Sequence, residues 1–386
     1  GVPIFDKMSE GASYPTFKHY KFDGDDVTKF ANLDCQTPYY FVCLENGKYN
    51  NDVIKFFIDY MKNLQEEFNF DGFRVDHIDH IVDEVSEKDG TPISYRAPRK
   101  VLGMLNSAMK EKIPYFATLA EYMLWDNFYK EYHQDMHFDL LWGNDIVSQS
   151  YKTPEAIAED NLYLANYNSS KKSTPLSILK TYNNQDGEFE AINRYPGQLG
   201  EQGALFKWFK YKFLPGGRNA QRPVMYIDGD ESFTKTGMEY IIGNEVSMKR
   251  EKDYDFYAKF DAIDRFVKNS PVITDGEAHI IRQDDDGFVV WQIQKEGLKN
   301  SILVAANYNS PTEKFCVEEN GNSWTEEREG REVFDKTIEL SCDYSIVSEF
   351  RFDGTDYMEE KFVAATNSLS FGKLMPAEFK FFTVIK

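Results

Sequence analysis

Asp71-Gly72-Phe73-Arg74-Val75-Asp76-His77-Ile78-Asp79-His80 is the stretch on which the reading of the fold turns. Its first half alternates, with Phe73 and Val75 on one face and Arg74 and Asp76 on the other, as in a short strand that ends in charged side chains. Just upstream, Val53, Phe56, Phe57, Tyr60, Met61 and Leu64 recur at three- and four-residue steps. That spacing predicts one apolar face of a helix leading straight into the strand.

The same alternation of helix and short apolar run continues on either side, from about 51 to 272. A helix is expected over roughly 98–112, and Tyr115 to Glu121 reads as a strand with a carboxylate at its end. Further strands are expected at 136–140, 179–182 and 223–227, with helical spacing over 203–213 and 253–267. Strands each followed by a covering helix make a parallel α/β sheet. Beyond Ser270-Pro271 the texture changes to period-two runs broken by Asp, Gly and Asn, which predicts an all-β antiparallel domain over 273–386. The Glu-rich stretch 309–336 reads as a long exposed loop.

With 64 Asp and Glu against 44 Lys and Arg, the formal charge is -20, so nucleic acid would be repelled. No apolar run is long enough to span a membrane, and the first residues lack the basic end and apolar stretch of a signal peptide. The chain opens on Gly1, which points to a processed or truncated start. Cys35, Cys43, Cys316 and Cys342 form no Cys-x-x-Cys pair, so no zinc or redox motif is readable; a Cys316–Cys342 bridge is left open.

Hydrolysis of a glycosidic bond takes two carboxyl groups, one ionised and one protonated, and barrel enzymes hold such groups at the C-terminal ends of strands. Gly72-Phe73-Arg74-Val75-Asp76, followed by His80, resembles the nucleophile motif of the alpha-amylase family (glycoside hydrolase family 13). The resemblance implies Asp76 as the nucleophile, Arg74 as its partner and His80 as a sugar contact, with Asp79 where a lysine is frequent. Ala117-Thr118-Leu119-Ala120-Glu121 then matches the expected strand ending in the general acid, Glu121. Lys180-Thr181-Tyr182-Asn183-Asn184-Gln185-Asp186 resembles the family's Asn-His-Asp segment, which implies Asp186 as the acid that stabilises the transition state and Gln185 in place of the usual histidine. Arg222 to Glu231 resembles the last barrel strand and its Tyr-Gly-Asp-Glu ending, with one residue inserted. Tyr122, Trp125 and Tyr182 are candidates for stacking on sugar rings, although each taken alone is more often core filling.

The resemblance implies the C-terminal part of a (β/α)8 TIM barrel, strands four to eight, followed by an antiparallel β-sandwich. Residues 1–50 would be the excursion before the fourth strand, 51–272 the barrel portion and 273–386 the sandwich. The first three strands are not readable, and five strands cannot close a barrel, so a preceding N-terminal barrel segment is expected in the full-length protein. The implied reaction is retaining hydrolysis of α-glucosidic bonds in starch-like glucans or maltooligosaccharides. The alternatives are a glucan transferase of the same family and a non-catalytic sugar-binding barrel. No cofactor is required, calcium is left open, and a secreted, periplasmic or cell-surface location is favoured over the cytoplasm.

Overall fold

The structure, a computed structural model, describes residues 51–76, 96–121, 135–142, 177–182, 195–214, 223–234, 252–319, 322–340, 346–362 and 368–385. It also describes short strands nearer the N-terminus: β1 (Phe5–Met8), β2 (Pro15–Phe17), β3 (His19–Phe22) and β4 (Asp25–Lys29), with β6 (Glu84–Val85) and β7 (Pro92–Ser94) further on. These pair as three small antiparallel ribbons, β1 with β2, β3 with β4 and β6 with β7. The chain divides into two compact units, 1–148 with 176–178, and 149–175 with 179–386.

In the first unit, helix α1 (Asn51–Phe68) runs into β5 (Gly72–Val75). Its buried line passes through Ile54 and Gln65, while Phe56 and Tyr60, expected on the inner face, are half exposed and stack on each other at 6.2 Å. Overlapping three- and four-residue spacings allowed either line, and Ile54 won the core. Asn69 ends the helix with φ 51, its amide donating to Gln65 O; asparagine tolerates that left-handed conformation better than most residues.

Helix α2 (Arg96–Lys112) presents Leu102, Leu105 and Met109 inward and leads to β8 (Ala117–Glu121). Strand β5 pairs in parallel with β8, Gly72 facing Ala117 and Val75 facing Ala120. A Cβ at Gly72 would lie 2.4 Å from Ala117 O, so the close approach of the two strands requires glycine there. Strand β8 in turn pairs in parallel with β9 (Leu140–Trp142), Glu121 facing Trp142. Beyond β9, the Ser177 amide donates to Asp139 O at the start of β10 (Ser177–Thr181). The expected strand at 136–140 therefore begins later: 136–139 is an approach segment held by side chains, with Asn106 Nδ2 donating to Met136 O at 2.6 Å.

In the second unit, Lys180 and Thr181 pair in parallel with β11 (Val224–Met225). Helix α3 (Tyr195–Phe213) is interrupted at Gly200 (φ 68), and from Ala204 onward it is buried nearly all round, as a helix enclosed in a core is. Trp208 stacks on Phe260 of α4 (Tyr254–Lys268) at 4.1 Å, and Phe209 stacks on Phe379 at 3.7 Å. Its last carbonyls are satisfied by buried donors: Lys180 Nζ reaches Tyr211 O and Leu214 O, and Trp291 Nε1 reaches Phe213 O at 2.8 Å. Asp253 caps α4 by accepting the amides of Asp255 and Phe256, and Pro271 opens the short α5 (Pro271–Asp275).

From 277 on, the unit is all β. Strands β12 (Glu277–Gln283), β13 (Phe288–Gln294), β14 (Asn300–Asn307), β18 (Ile346–Phe352), β19 (Tyr357–Phe362) and β21 (Phe379–Ile385) form an antiparallel sheet in the order β12-β13-β14-β21-β18-β19. Period-two alternation sends Val289, Trp291 and Ile293 into the core shared with α3 and α4. Phe288 and Val290 go to a second core with β17 (Val333–Glu339) and β20 (Ser368–Leu374), themselves an antiparallel pair. The expected long loop at 309–336 is instead largely a ribbon of β15 (Thr312–Glu319) and β16 (Asn322–Glu329). Its register sets Glu313 opposite Arg328 and Lys314 opposite Glu327. Among the described residues no helix is long and apolar enough to cross a membrane.

Candidate active site

Three neighbouring parallel strands of the first unit end on polar or aromatic side chains. Strand β5 carries Arg74 and leads directly to Asp76, while Glu121 and Trp142 are the last residues of β8 and β9. Because parallel strands end together on one side of a sheet, these termini are brought side by side although the residues lie far apart in sequence.

Arg74 joins them. Its Nη1 lies 2.7 Å from Asp76 Oδ1 and its Nη2 2.6 Å from Glu121 Oε1, so one guanidinium serves two carboxylates. Its Cζ also lies 4.5 Å from the centre of the Trp142 ring. The planar fork has donors enough for both acids while its face remains available for stacking. A guanidinium hydrogen-bonded at both ends limits the two carboxylate oxygens to about 8 Å apart. The acids differ in surroundings: the Asp76 side chain is 57% exposed and that of Glu121 only 2%. An open carboxylate can meet a substrate carbon, whereas a buried one is poised to hold or release a proton.

A further layer fixes the strands beneath. Asp139 accepts the Thr118 amide at 2.9 Å and the Thr118 hydroxyl at 3.0 Å, and pairs with Lys110 of α2 at 2.5 Å. Met136, Phe138, Leu141 and Trp142 are all buried, so β9 is held along its length.

Tyr182 occupies the core of the second unit. It is fully buried against Trp208 and Phe260, its hydroxyl donating to Ala204 O, and is thus a packing residue rather than a surface on which a sugar could stack. In the Arg222–Glu231 segment, Gly229 has φ 100, Asp230 is buried and accepts the Ile227 amide, and Glu231 accepts the Gly229 amide. Burial, reinforced by Glu231 and Asp264, pushes the Tyr226 hydroxyl above its ordinary range. His80, Tyr122, Trp125, Gln185 and Asp186 lie outside the described residues. Sequence reasoning missed Trp142. The signal lay in the short run Leu140-Leu141-Trp142, which ends on an aromatic residue one strand beyond Glu121. Among the described residues no group of three or more His, Cys, Asp or Glu is placed to hold a metal ion.

Neither a scan against protein-family models nor a search of curated proteins finds a match. Solved structures do share the fold. An Anoxybacillus alpha-amylase matches with a TM-score of 0.55 at 14% identity, over 87% of this chain and 63% of that one. The alpha-amylase of Geobacillus thermoleovorans, complexed with acarbose, matches with a TM-score of 0.52 at 14% identity, over 87% and 65%. The trehalose-6-phosphate hydrolase of Bacillus licheniformis matches with a TM-score of 0.56 at 14% identity, over 100% of this chain and 78% of that one. The chain thus spans less than two thirds of the length of the two amylases, and at these identities the likeness is one of fold. The chain shares with them parallel strands followed by antiparallel β sheets, the coarser part of the expected fold.

Proposed function

We propose that this chain carries the catalytic carboxylates of a retaining glycosidase of the alpha-amylase family, acting on α-glucosidic bonds of starch-like glucans or maltooligosaccharides. The observation that carries the reading is the single guanidinium of Arg74 bridging Asp76 and Glu121 at adjacent strand ends. In this reading Asp76 attacks the anomeric carbon while Glu121 gives its proton to the departing glycosidic oxygen, leaving a covalent glycosyl–Asp76 ester. Glu121, now ionised, takes a proton from water; the resulting hydroxide displaces Asp76 with a second inversion, so configuration is retained. Arg74 compensates negative charge on whichever carboxylate is ionised at each stage. Asp186 would stabilise the sugar cation, with His80 and Gln185 contacting its hydroxyls. No cofactor enters these steps.

The test is maltooligosaccharide turnover by the longest polypeptide that carries these residues, alongside Asp76→Asn and Glu121→Gln. Each variant should lose at least about a thousandfold in kcat, since residues acting as one unit fail together. The first product, followed by NMR, should keep the α configuration. Inverted product would remove Asp76 from the nucleophile role. Absence of turnover on any α-glucan or α-glucoside would favour a sugar-binding barrel, and transfer to a second sugar in preference to water would make the enzyme a transferase.

A further inference from the structure

We infer that Trp142 is a positioning residue of this site, whose ring holds the Arg74 guanidinium in the orientation that lets it serve both carboxylates; the inference deepens the glycosidase reading and rests on it for its kinetic consequence. An arginine side chain has four rotatable bonds and would ordinarily sample many orientations. Two hydrogen bonds at 2.7 and 2.6 Å fix the edge of its fork, but rotation about the line joining them stays free unless something meets the face of the plane. The Trp142 ring lies against the guanidinium, its centre 4.5 Å from Cζ. The ring is itself immobile: it is 2% exposed, it ends a strand in register with Glu121, and that strand is anchored through Asp139 to Thr118 and Lys110. Attraction between a cation and an indole face strengthens when water is kept out, and Glu121, bonded to the same guanidinium, is equally buried. Carboxylate, guanidinium and indole are thus contributed by three successive strands, and only the indole lacks a chemical role in the proposed reaction.

The test compares Trp142→Phe, which keeps an aromatic face, with Trp142→Leu, which keeps apolar bulk without one. Two measurements are made on the same full-length protein. The first is the rate at which phenylglyoxal modifies Arg74, followed by peptide mass spectrometry, which needs no enzymatic activity. Trp142→Leu should speed this modification by about tenfold, while Trp142→Phe stays within about twofold of wild type. The second is maltooligosaccharide kinetics across pH. Trp142→Leu should lower kcat by about ten- to a hundredfold with little change in KM and move the limbs of the pH profile, with Trp142→Phe largely restoring both. In the Arg74→Lys background Trp142→Leu should add little, because the ring acts through the guanidinium. If Leu does not fold, as judged by circular dichroism, Trp142→Met takes its place. Unchanged Arg74 reactivity in the folded non-aromatic variant would overturn the inference whatever the enzyme does. Changed reactivity in a protein that turns over no glucan would leave the positioning role standing and remove the glycosidase reading instead.

Discussion

Replacing Arg74 by methionine should expose how much of this site is held by charge. Glu121 is 2% exposed and its guanidinium partner 34% exposed. Losing one member of a buried ion pair costs about 3–5 kcal/mol, and the partial exposure of Arg74 argues for the lower end, about 3. In the first unit that corresponds to a Tm lower by roughly 6–12 °C. The sign of the pH dependence follows from counting protons. Without the guanidinium, a buried carboxyl holds its proton more tightly in the folded chain than in the unfolded one, so the folded state binds more protons and stability falls as pH rises. The deficit relative to wild type should therefore be smaller at pH 4.5 than at pH 7.5. Thermal melts from pH 4 to 8, followed by near-ultraviolet circular dichroism, read this directly. Adding Glu121→Gln to Arg74→Met should recover most of the loss at neutral pH, because the amide carries no charge to bury. A deficit of equal size at pH 4.5 and 7.5, or no recovery in the double variant, would show that Arg74 acts through packing instead.

Two further outcomes follow from the frame. Gly72→Ala places a Cβ 2.4 Å from Ala117 O, backbone that cannot swing aside, and should cost about 2–3 kcal/mol in a urea melt while moving Arg74 enough to lower activity in parallel. In the β domain, the Arg282 guanidinium, bonded to both oxygens of Asp284 and joined by Lys336, holds that carboxyl below its usual range. A depressed acid contributes stability above the unfolded-chain value and loses it as pH falls through the folded one, so Asp284→Asn should lower Tm at neutral pH and have progressively less effect in acid, by calorimetry.

Much of this was legible from the chain. The alternation in Phe73–Asp76 and the order of helices and strands around it gave the parallel strands, because a period of two beside a period of three to four has few alternative foldings. Asp76 and Glu121 could be paired since each ends a predicted strand, and neighbouring parallel strands end together. Three things were hidden. Helix α1 has two overlapping apolar lines, and only packing chooses Ile54 over Phe56 and Tyr60. The β15–β16 ribbon is written in charged residues, which mask its period, although Asn320-Gly321 between two extended runs is a strong hairpin signal. Trp142 closes a three-residue strand too short to show any period, and its partner Arg74 is 68 residues away in sequence, so only the sheet brings them together.

The same fold matches an alpha-amylase and a trehalose-6-phosphate hydrolase at the same 14% identity, so the frame cannot choose among substrates. What it does fix is the placement of Arg74, Asp76, Glu121 and Trp142 at neighbouring strand ends, whose spacing is set by Gly72 and Asp139; in the proposed reading these are the bond-breaking groups. In that reading selectivity is expected from the segments that follow those strand ends in sequence, 77–95 after Asp76, 122–134 after Glu121 and 143–176 after Trp142. Exchanging one of these segments should therefore change which glucoside is accepted with little effect on Arg74–Glu121 pairing, whereas changes at the four strand-end residues should slow every substrate alike.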